Sequence, residues 1–410
     1  MNIARQKNRV YVTSLGMVNA LGFDKKEVLK NLLNGISPGM RCRRSTILGK
    51  DYYCGIVDHQ LPKVPQNLSD YDCRNNQLAL AAVLQIKDEI NKIVQYYSRD
   101  RVGVVMGTST SGIAESEQAI NAKINSGQLP ESFDYKMQEF GALSDFVARY
   151  LDICGPSYSI STACSSSGKV FASARRLLDL DICDAVIVGG IDSLCDLTLG
   201  GFDSLEAISN TQANPFSRDR HGINIGEAAA VFTLTKKPHT KSDGDIDLDY
   251  NIELLGVGET SDAYHMSAPE PEGAGAISAM KIALDQAQLC ADDIDYVNLH
   301  GTGTRLNDAM EAFAMNRVFG NETQCSSTKP LTGHTLGAAG ATEIGLCWLL
   351  LDNKETKQLA PHVYDGQYDT EIEKIQLVPN DGMSRRCAIT MSNSFAFGGN
   401  NVSVILGVRN

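Results

Sequence analysis

The chain has 410 residues, of which 43% are hydrophobic and 21% are charged, and 36 glycines are spread along it. This composition suits a large apolar core, and the length favours two or three domain-sized units. The formal charge of −12 argues against general nucleic-acid binding, and no apolar run is long enough to span a bilayer. Because residues 1–9 are polar and do not form a signal peptide, we expect a cytoplasmic location.

Apolar strand-like runs alternate with amphipathic helix-like segments, which predicts an α/β architecture with mostly parallel strands. In chain order, the clearest segments are a helix at 76–90, a strand at 101–106, a helix at 168–180, a strand at 185–188, a helix at 275–288, a strand at 296–299, a helix at 306–319 and a strand at 388–391. A polar linker at 236–249 divides the chain. We therefore place an N-terminal half at 1–245 and a C-terminal half at 246–410.

The segment Ser-Thr-Ala-Cys-Ser-Ser-Ser-Gly, residues 161–168, places Cys164 between a strand-like approach and a helix-like exit. The positive N-terminal end of a helix favours a thiolate, so we expect the pKa of Cys164 to fall below that of a free cysteine. The same backbone N–H groups can bind an oxyanion. The alternative is a small buried hydrophobe, as we expect for the ten other cysteines. The absence of C-x-x-C pairs argues against zinc and disulfides and indicates a reducing compartment.

The segment His-Gly-Thr-Gly-Thr starts at His300, directly after a predicted strand. Ligands of open α/β sheets lie beyond the carboxyl ends of strands, so a reactive histidine is expected here. The alternative is a histidine that is hydrogen-bonded within a turn. Thr302 and Thr304 can present two hydroxyls to a polar chain, and Asp308 and Glu311 share one face of the following helix.

A third loop, residues 327–340, contains Lys329 and His334 and leads into an apolar helix. Lys329 precedes a proline, which predicts an extended backbone at this position. A lysine among apolar residues and glycines needs a partner, and Glu311 is the natural candidate. The fourth loop, residues 393–401, carries Phe395 and Phe397 before two glycines, which suggests either a mobile wall or a tight turn with core aromatics.

Four motifs, T-A-C-S-S-S, H-G-T-G-T, K-x-x-x-G-H-x-L-G-A-A-G and N-S-F-x-F-G-G-x-N, occur in this order. The chain thereby resembles the chain-elongating 3-oxoacyl-[acyl-carrier-protein] synthases, or ketosynthases. The resemblance implies a thiolase fold, with a five-layered αβαβα core made of two pseudo-symmetric βαβαβαββ halves. It also implies a dimer, either of identical chains or with a ketosynthase-like chain-length factor.

The resemblance implies a decarboxylative condensation on Cys164. This cysteine takes an acyl group from acyl carrier protein, and malonyl-carrier protein then loses carbon dioxide and attacks the acyl-enzyme. His300 and His334 assist decarboxylation. Backbone N–H groups of Cys164 and Phe397 form an oxyanion hole.

In the same family pattern, Lys329 sets the electrostatics beside His334, Glu311 holds Lys329, and Asp308 supports the network. No cofactor is required, because phosphopantetheine arrives on the carrier protein.

The resemblance further implies substrate-binding roles for Thr302, Thr304, Phe202, Phe395, Phe397 and Thr110. Thr302 and Thr304 would contact the pantetheine arm, Phe202 and Thr110 would line the acyl channel and Phe397 would act as its gate. Some members hold a structural Na or K ion, for which the matching residues are Asn298, Glu343, Ser392 and Asn393.

Some positions depart from the fatty-acid pattern. The segment after His300 is Gly-Thr-Gly-Thr where fatty-acid enzymes often have Gly-Thr-Ser-Thr, and Glu206 stands where relatives often carry a basic residue. Basic contacts to the carrier remain at Lys63, Arg74, Arg218 and Arg220. The segments Val18-Asn19-Ala20 and Gly-Thr-Ser-Thr-Ser-Gly, at 107–112, suggest the bacterial aryl-polyene ketosynthases. The alternatives are a non-catalytic chain-length-factor partner, which typically lacks the cysteine, and a thiolase or initiating synthase, which would need a second catalytic cysteine or an asparagine in place of one histidine.

Overall fold

A computed structural model describes residues 9–236, 252–353 and 357–408. Apart from Lys236, the predicted linker at 236–249 lies outside the described residues, as does the predicted boundary between residues 245 and 246. Among the helices in these three ranges, none is both long and apolar enough to cross a bilayer.

The described residues form fifteen strands and eleven α-helices. The strands are β1 (Tyr11–Val18), β2 (Met40–Arg44), β3 (Asp51–Gly55), β4 (Val102–Gly107), β5 (Ser157–Ile160), β6 (Ala185–Asp192), β7 (Ala228–Thr235), β8 (Ile252–Ser261), β9 (Tyr296–Asn298), β10 (Gln324–Ser326), β11 (Gln358–Leu359), β12 (Gln376–Leu377), β13 (Met383–Ser384), β14 (Ile389–Phe395) and β15 (Asn400–Val408). The helices are α1 (Lys25–Leu33), α2 (Arg74–Gln85), α3 (Lys87–Tyr97), α4 (Ile113–Ser126), α5 (Ala142–Tyr150), α6 (Ser166–Asp179), α7 (Asp196–Ser204), α8 (Ala274–Ala287), α9 (Arg305–Phe319), α10 (Lys329–Thr332) and α11 (Ala339–Asp352).

Two half-sheets repeat one pairing pattern. The N-terminal half-sheet has the order β5-β4-β6-β7-β1, and the C-terminal half-sheet has the order β12-β10-β9-β14-β15-β8. In each half the outer strands are parallel, whereas β7 and β15 each pair antiparallel with both neighbours. The half-sheets meet through the antiparallel pair of Tyr11 and Glu253. This repetition is the pseudo-symmetry that the resemblance to the ketosynthases implies.

Helices α6 and α11 lie between the half-sheets and contact strands of both. Helices α2 and α5 cover the outer face of the N-terminal half-sheet, and α8 covers that of the C-terminal one. The result is the predicted order of helix, sheet, helix, sheet and helix. The two central helices approach closely, since a Cβ atom on Gly340 would lie 2.5 Å from the backbone nitrogen of Gly168. Glycine is therefore required at this crossing.

Most predicted elements are present with small shifts in their ends. The predicted helix at 76–90 is instead two helices, because the backbone at Ile86 leaves the helical region. Strand β14 continues through Phe395, so residues 393–395 belong to a strand and not to the predicted loop. Phe395 is consequently a core residue beside the site.

Candidate active site

Cys164 lies in the turn between β5 and α6, two residues before the helix begins at Ser166. The preceding residue, Ala163, has a φ of +51°, in the left-handed region that non-glycine residues seldom adopt. The turn is therefore sharp, and it leaves Cys164 only 5% exposed. The predicted location next to a helix N-terminus is confirmed.

The expected low pKa of Cys164 is wrong. Burial raises the pKa of this thiol to about 11, although the charge of Lys329 and the backbone N–H groups of Phe397 and of Cys164 itself act to lower it. Desolvation dominates because the sulfur is enclosed, and a thiolate loses more from lost hydration than it gains from these groups. The two N–H groups nevertheless lie against the sulfur.

The two predicted histidines lie beside the sulfur. The Nε2 atom of His334 is 3.0 Å from the Sγ atom of Cys164. The rings of His300 and His334 are perpendicular, with centroids 5.3 Å apart. One ring nitrogen of each histidine and the Cys164 sulfur lie within 4.8 Å of one another. Burial, followed by the charge of Lys329, lowers the pKa of both histidines well below the usual value, so both rings are neutral.

Lys329 is not paired with Glu311 as expected. Its Nζ atom forms an ion pair with Glu343 on α11 and lies 3.3 Å from Nδ1 of His300. A lysine ammonium only donates, so Nδ1 of His300 accepts and its proton is on Nε2. Lys329 thus fixes the tautomer of His300.

The extended backbone predicted at Lys329 is also wrong. Lys329 is the first residue of the short helix α10, and Pro330 is at an early position of a helix, where its missing N–H is not needed. The pre-proline preference for an extended backbone is overridden by the packing of this fully buried segment.

Glu311 and Asp308 hold the backbone of the loop that carries His300. The Glu311 carboxylate accepts the N–H groups of His300 and Gly301 at 2.7 and 2.6 Å, and Asp308 accepts that of Gly303 at 3.1 Å. Burial raises the pKa of Glu311 to about 8 and that of Asp308 to about 6, and the accepted N–H groups oppose this shift. Both carboxylates act on the site through the loop backbone.

The second oxygen of Asp308 has partners outside the His300 loop. It accepts the N–H group of Phe216 at 2.8 Å and lies 3.7 Å from Nε of Arg220. Arg220 also pairs with Asp369 at 2.5 Å and is 3% exposed. Asp308 is therefore not part of the Lys329 network, and Arg220 is a buried structural cation, not the surface contact for a carrier that its sequence position suggested.

A small cavity joins the reactive side chains to predicted substrate-binding residues. Its lining comprises Cys164, Phe202, Ala207, Ile223, His300, Thr302, Thr304, His334 and Phe397. A wider cleft of about 470 Å³ shares Ala207, Thr304 and Phe397 with the cavity, so the cavity opens to the surface beside Thr304.

The predicted aromatic residues surround this cavity in different ways. The rings of Phe202 and Phe397 are 5.8 Å apart, and both are half-buried. Phe395 is buried and its ring lies 6.2 Å from that of His300. Thr110 is outside the cavity lining, and its hydroxyl donates to Asp192 at 2.8 Å. The hydroxyl of Thr110 is thus occupied by a structural contact.

Asp192 was not singled out from the sequence. It is fully buried at the end of β6 and accepts hydrogen bonds from Ser109, Thr110, Thr108 and Ala338. It thereby joins the loop after β4 to the segment that follows His334. A carboxylate that ends a long apolar strand is the signal that could have found it.

The hydrogen-bond partners of the oxygen atoms show whether the predicted cation site could hold an ion. In the described residues, Asn298 Oδ1, Glu343 Oε2 and Ser392 Oγ are buried without a hydrogen-bond partner, and Asn298 and Ser392 are paired across β9 and β14. Such oxygens suit a hard monovalent cation. Asn393 differs, because its amide oxygen accepts from Ser403 at 2.7 Å. Three of the four side chains therefore fit a cation, and the Asn393 side chain does not.

Two family models cover most of the chain. The model "Beta-ketoacyl synthase, N-terminal domain" matches residues 7–239, and "Beta-ketoacyl synthase, C-terminal domain" matches residues 252–362. The "3-oxoacyl-[acyl-carrier-protein] synthase 2" of Coxiella burnetii (strain RSA 493 / Nine Mile phase I) is 30% identical over 417 residues, which cover 98% of this chain and 99% of that one.

Solved structures are also similar. A chain from the complex of the ketosynthase ApeO with its chain length factor ApeC, from Xenorhabdus doucetiae, has a TM-score of 0.92 and 45% identity over 100% of both chains. A chain of the ishigamide ketosynthase/chain length factor has a TM-score of 0.87 and 26% identity, over 98% of this chain and 100% of that one. These matches confirm the predicted ketosynthase resemblance and the thiolase fold. The chain therefore belongs to the beta-ketoacyl synthase family and is an acyltransferase.

Proposed function

We propose that this chain is the condensing subunit of an aryl-polyene ketosynthase, which lengthens an acyl group on Cys164 by two carbons from malonyl-carrier protein. The observation that carries the reaction is the contact of Cys164 with His334, beside His300 and Lys329. The pathway rests on the 45% identity to a chain of the ApeO and ApeC complex. That likeness also supports a heterodimer with a chain length factor.

The first half-reaction is centred on Cys164 of the N-terminal half, and His334 and Phe397 of the C-terminal half assist it. The proton of the Cys164 thiol passes to Nε2 of His334, and the thiolate attacks the thioester carbonyl of the acyl carrier protein. The N–H groups of Cys164 and Phe397 stabilise the oxyanion. The pantetheine sulfur then leaves and takes the proton from His334. A neutral His334 is required as the acceptor, in agreement with its lowered pKa.

The second half-reaction uses the C-terminal half. Malonyl-carrier protein enters past Thr302 and Thr304, whose hydroxyls line the cavity and its mouth. His300 donates its Nε2–H bond to the thioester oxygen as carbon dioxide leaves and an enolate forms, and the neutral ring of His334 lies beside it. The enolate carbon attacks the acyl carbonyl on Cys164, and the Cys164 thiolate leaves. Lys329 keeps the proton of His300 on Nε2.

We further propose that a monovalent cation between Asn298, Glu343 and Ser392 acts structurally, since it would balance the Glu343 oxygen that Lys329 does not use. The eleven free cysteines fit action in the reducing cytoplasm.

A fatty-acid elongation enzyme that works as a homodimer is the second candidate, favoured by the 30% identical synthase of Coxiella burnetii. Mass spectrometry of the acyl group on Cys164, after incubation with a panel of acyl-carrier proteins, separates the two. We expect polyunsaturated or aryl-capped chains, together with co-purification of a co-expressed chain-length-factor partner. A saturated fatty acyl group on a stable homodimer would favour the second candidate, and no acylation of Cys164 would contradict both.

A further inference from the structure

His362, which no motif singles out, lies fully buried behind the loop that carries His300. Its Nδ1 atom accepts the N–H group of Ser327 at 3.0 Å, and its Nε2 atom lies 3.1 Å from the carbonyl oxygen of Pro215. A backbone N–H only donates and a carbonyl only accepts, so the ring is neutral with its proton on Nε2. Burial agrees with this state, because it lowers the pKa of His362 to about 4.

The Ser327 side of this bridge leads to both catalytic loops. The hydroxyl of Ser327 donates to the carbonyl of Gly301 at 2.6 Å and accepts the N–H group of Lys329 at 3.3 Å. Gly301 follows His300 directly, and a Cβ atom on Gly301 would lie 2.6 Å from that of Ser327. Ser327 therefore sets the distance between the His300 loop and Lys329.

The Pro215 side leads back to the same loop from the other direction. The next residue, Phe216, has a φ of +62° and donates its N–H group to Asp308. Asp308 in turn accepts the N–H group of Gly303, three residues after His300. A left-handed phenylalanine is costly, so its neighbours must hold it in place.

We propose that His362 is a positioning residue for decarboxylation, which holds His300 in register with Lys329 by bridging Ser327 to Pro215. The proposal deepens the proposed function and rests on it, because it assigns His362 to the His300 half-reaction. It places no demand on Cys164, whose turn after β5 has no contact with this bridge among the hydrogen bonds of the described residues.

Two substitutions separate the ends of the bridge. In His362→Asn the side-chain oxygen takes the place of Nδ1 and keeps the bond to Ser327. In His362→Gln the side-chain amide takes the place of Nε2 and keeps the bond to Pro215. We measure carbon dioxide release from malonyl-carrier protein and acyl transfer to Cys164 separately. His362→Gln should lower decarboxylation by on the order of ten- to a hundredfold with acylation nearly unchanged, and His362→Asn should lower it less. Wild-type decarboxylation in both variants, or parallel losses in both half-reactions, would overturn the proposal.

Ser327→Ala provides a second variant if the His362 substitutions fold poorly. It keeps the N–H group that His362 accepts and removes only the hydroxyl between Gly301 and Lys329. The same selective loss of decarboxylation is expected, and an unchanged rate would contradict the bridge.

A readout without turnover separates this proposal from the proposed function. The chain has seven histidines, so 15N-labelled imidazoles can be resolved and assigned by substitution. We expect His300 to show one tautomer, with its proton on Nε2, in the wild type and a mixture in His362→Gln. An unchanged His300 tautomer would sink the positioning role, whereas a wild type that does not decarboxylate would sink the proposed function.

Discussion

The two halves of the molecule place different chemistry on equivalent strands. Strands β5 and β10 hold the same position in their half-sheets, each parallel to its inner neighbour, β4 or β9. Cys164 follows β5, whereas Lys329 follows β10. The loop after β4 carries hydroxyls bound to Asp192, and the loop after β9 carries His300. The carboxyl ends of equivalent strands therefore carry the nucleophile in one half and the charge-stabilising residues in the other.

If the covalent step and charge stabilisation are divided between the halves in this way, single substitutions should abolish one half-reaction and leave the other. The largest effect is expected for Cys164→Ala, which deletes the nucleophile and should lower condensation by at least ~10³-fold. Decarboxylation of malonyl-carrier protein should persist, because His300, His334 and Lys329 stay in place. Single-turnover assays of both steps measure this. Cys290→Ala, at an exposed thiol, is the matched control. Condensation by the Cys164→Ala protein would contradict the assignment of the covalent step to Cys164.

Lys329→Ala tests the C-terminal half. It removes the donor that fixes His300 and leaves Glu343 buried without its cation, so decarboxylation should fall by on the order of 10²- to 10³-fold. Acyl transfer to Cys164 should continue in the fraction that stays folded, which a thermal melt reports. The control is Lys281→Ala, an exposed lysine on α8. If wild-type decarboxylation remained, Lys329 would be structural only.

The pH dependence of stability tests the C-terminal half separately, because His362 supports the loops of this half only as a neutral ring. Its pKa is about 4 in the fold and about 6.5 in an unfolded chain, so the unfolded state binds more protons between these values. Stability therefore rises with pH in this window, by about 2 kcal/mol from pH 5 to pH 7 for this residue. Urea titrations should show a smaller rise in His362→Asn. Identical slopes in both proteins would mean that His362 titrates normally.

The smallest effect is expected at Phe397, where the halves meet over the cavity. Phe397→Leu keeps an apolar side chain but removes the ring that faces Phe202, so acylation of Cys164 should slow by roughly a few-fold if this residue gates the channel. Stopped-flow acylation measures the rate, and decarboxylation is the internal reference. An unaltered acylation rate would leave Phe397 without a gating role.

The sequence predicted the parts of the site that lie in short motifs. Cys164 and His300 were identified because each follows a predicted strand in a loop of glycines or small residues, and His334 was identified because its motif resembles that of the ketosynthases. The partner of Lys329 was missed, because Glu343 lies in the second turn of α11 and its approach depends on the packing of that helix. The pKa of Cys164 was missed for a related reason, since local sequence shows the helix end but not the enclosure of the sulfur.

The fold was predicted in the same uneven way. Periodicity located the central helices and strands, but the end of β14 depends on seven residue pairs with β15, which turned a predicted loop into a strand as far as Phe395. His362 had no signal in the sequence, and Asp192 had only its place at the end of an apolar strand. Both are buried polar groups whose partners are distant in sequence, and only tertiary structure brings them together.

Asp192 also bears on how the molecule folds. Its carboxylate is fully satisfied only when the loop after β4, from the N-terminal half, and Ala338, from the C-terminal half, are both in place. Helices α6 and α11 are likewise shared by the two half-sheets. Neither half can complete its interior alone, so the repeated halves should unfold in one cooperative transition despite their separate sheets.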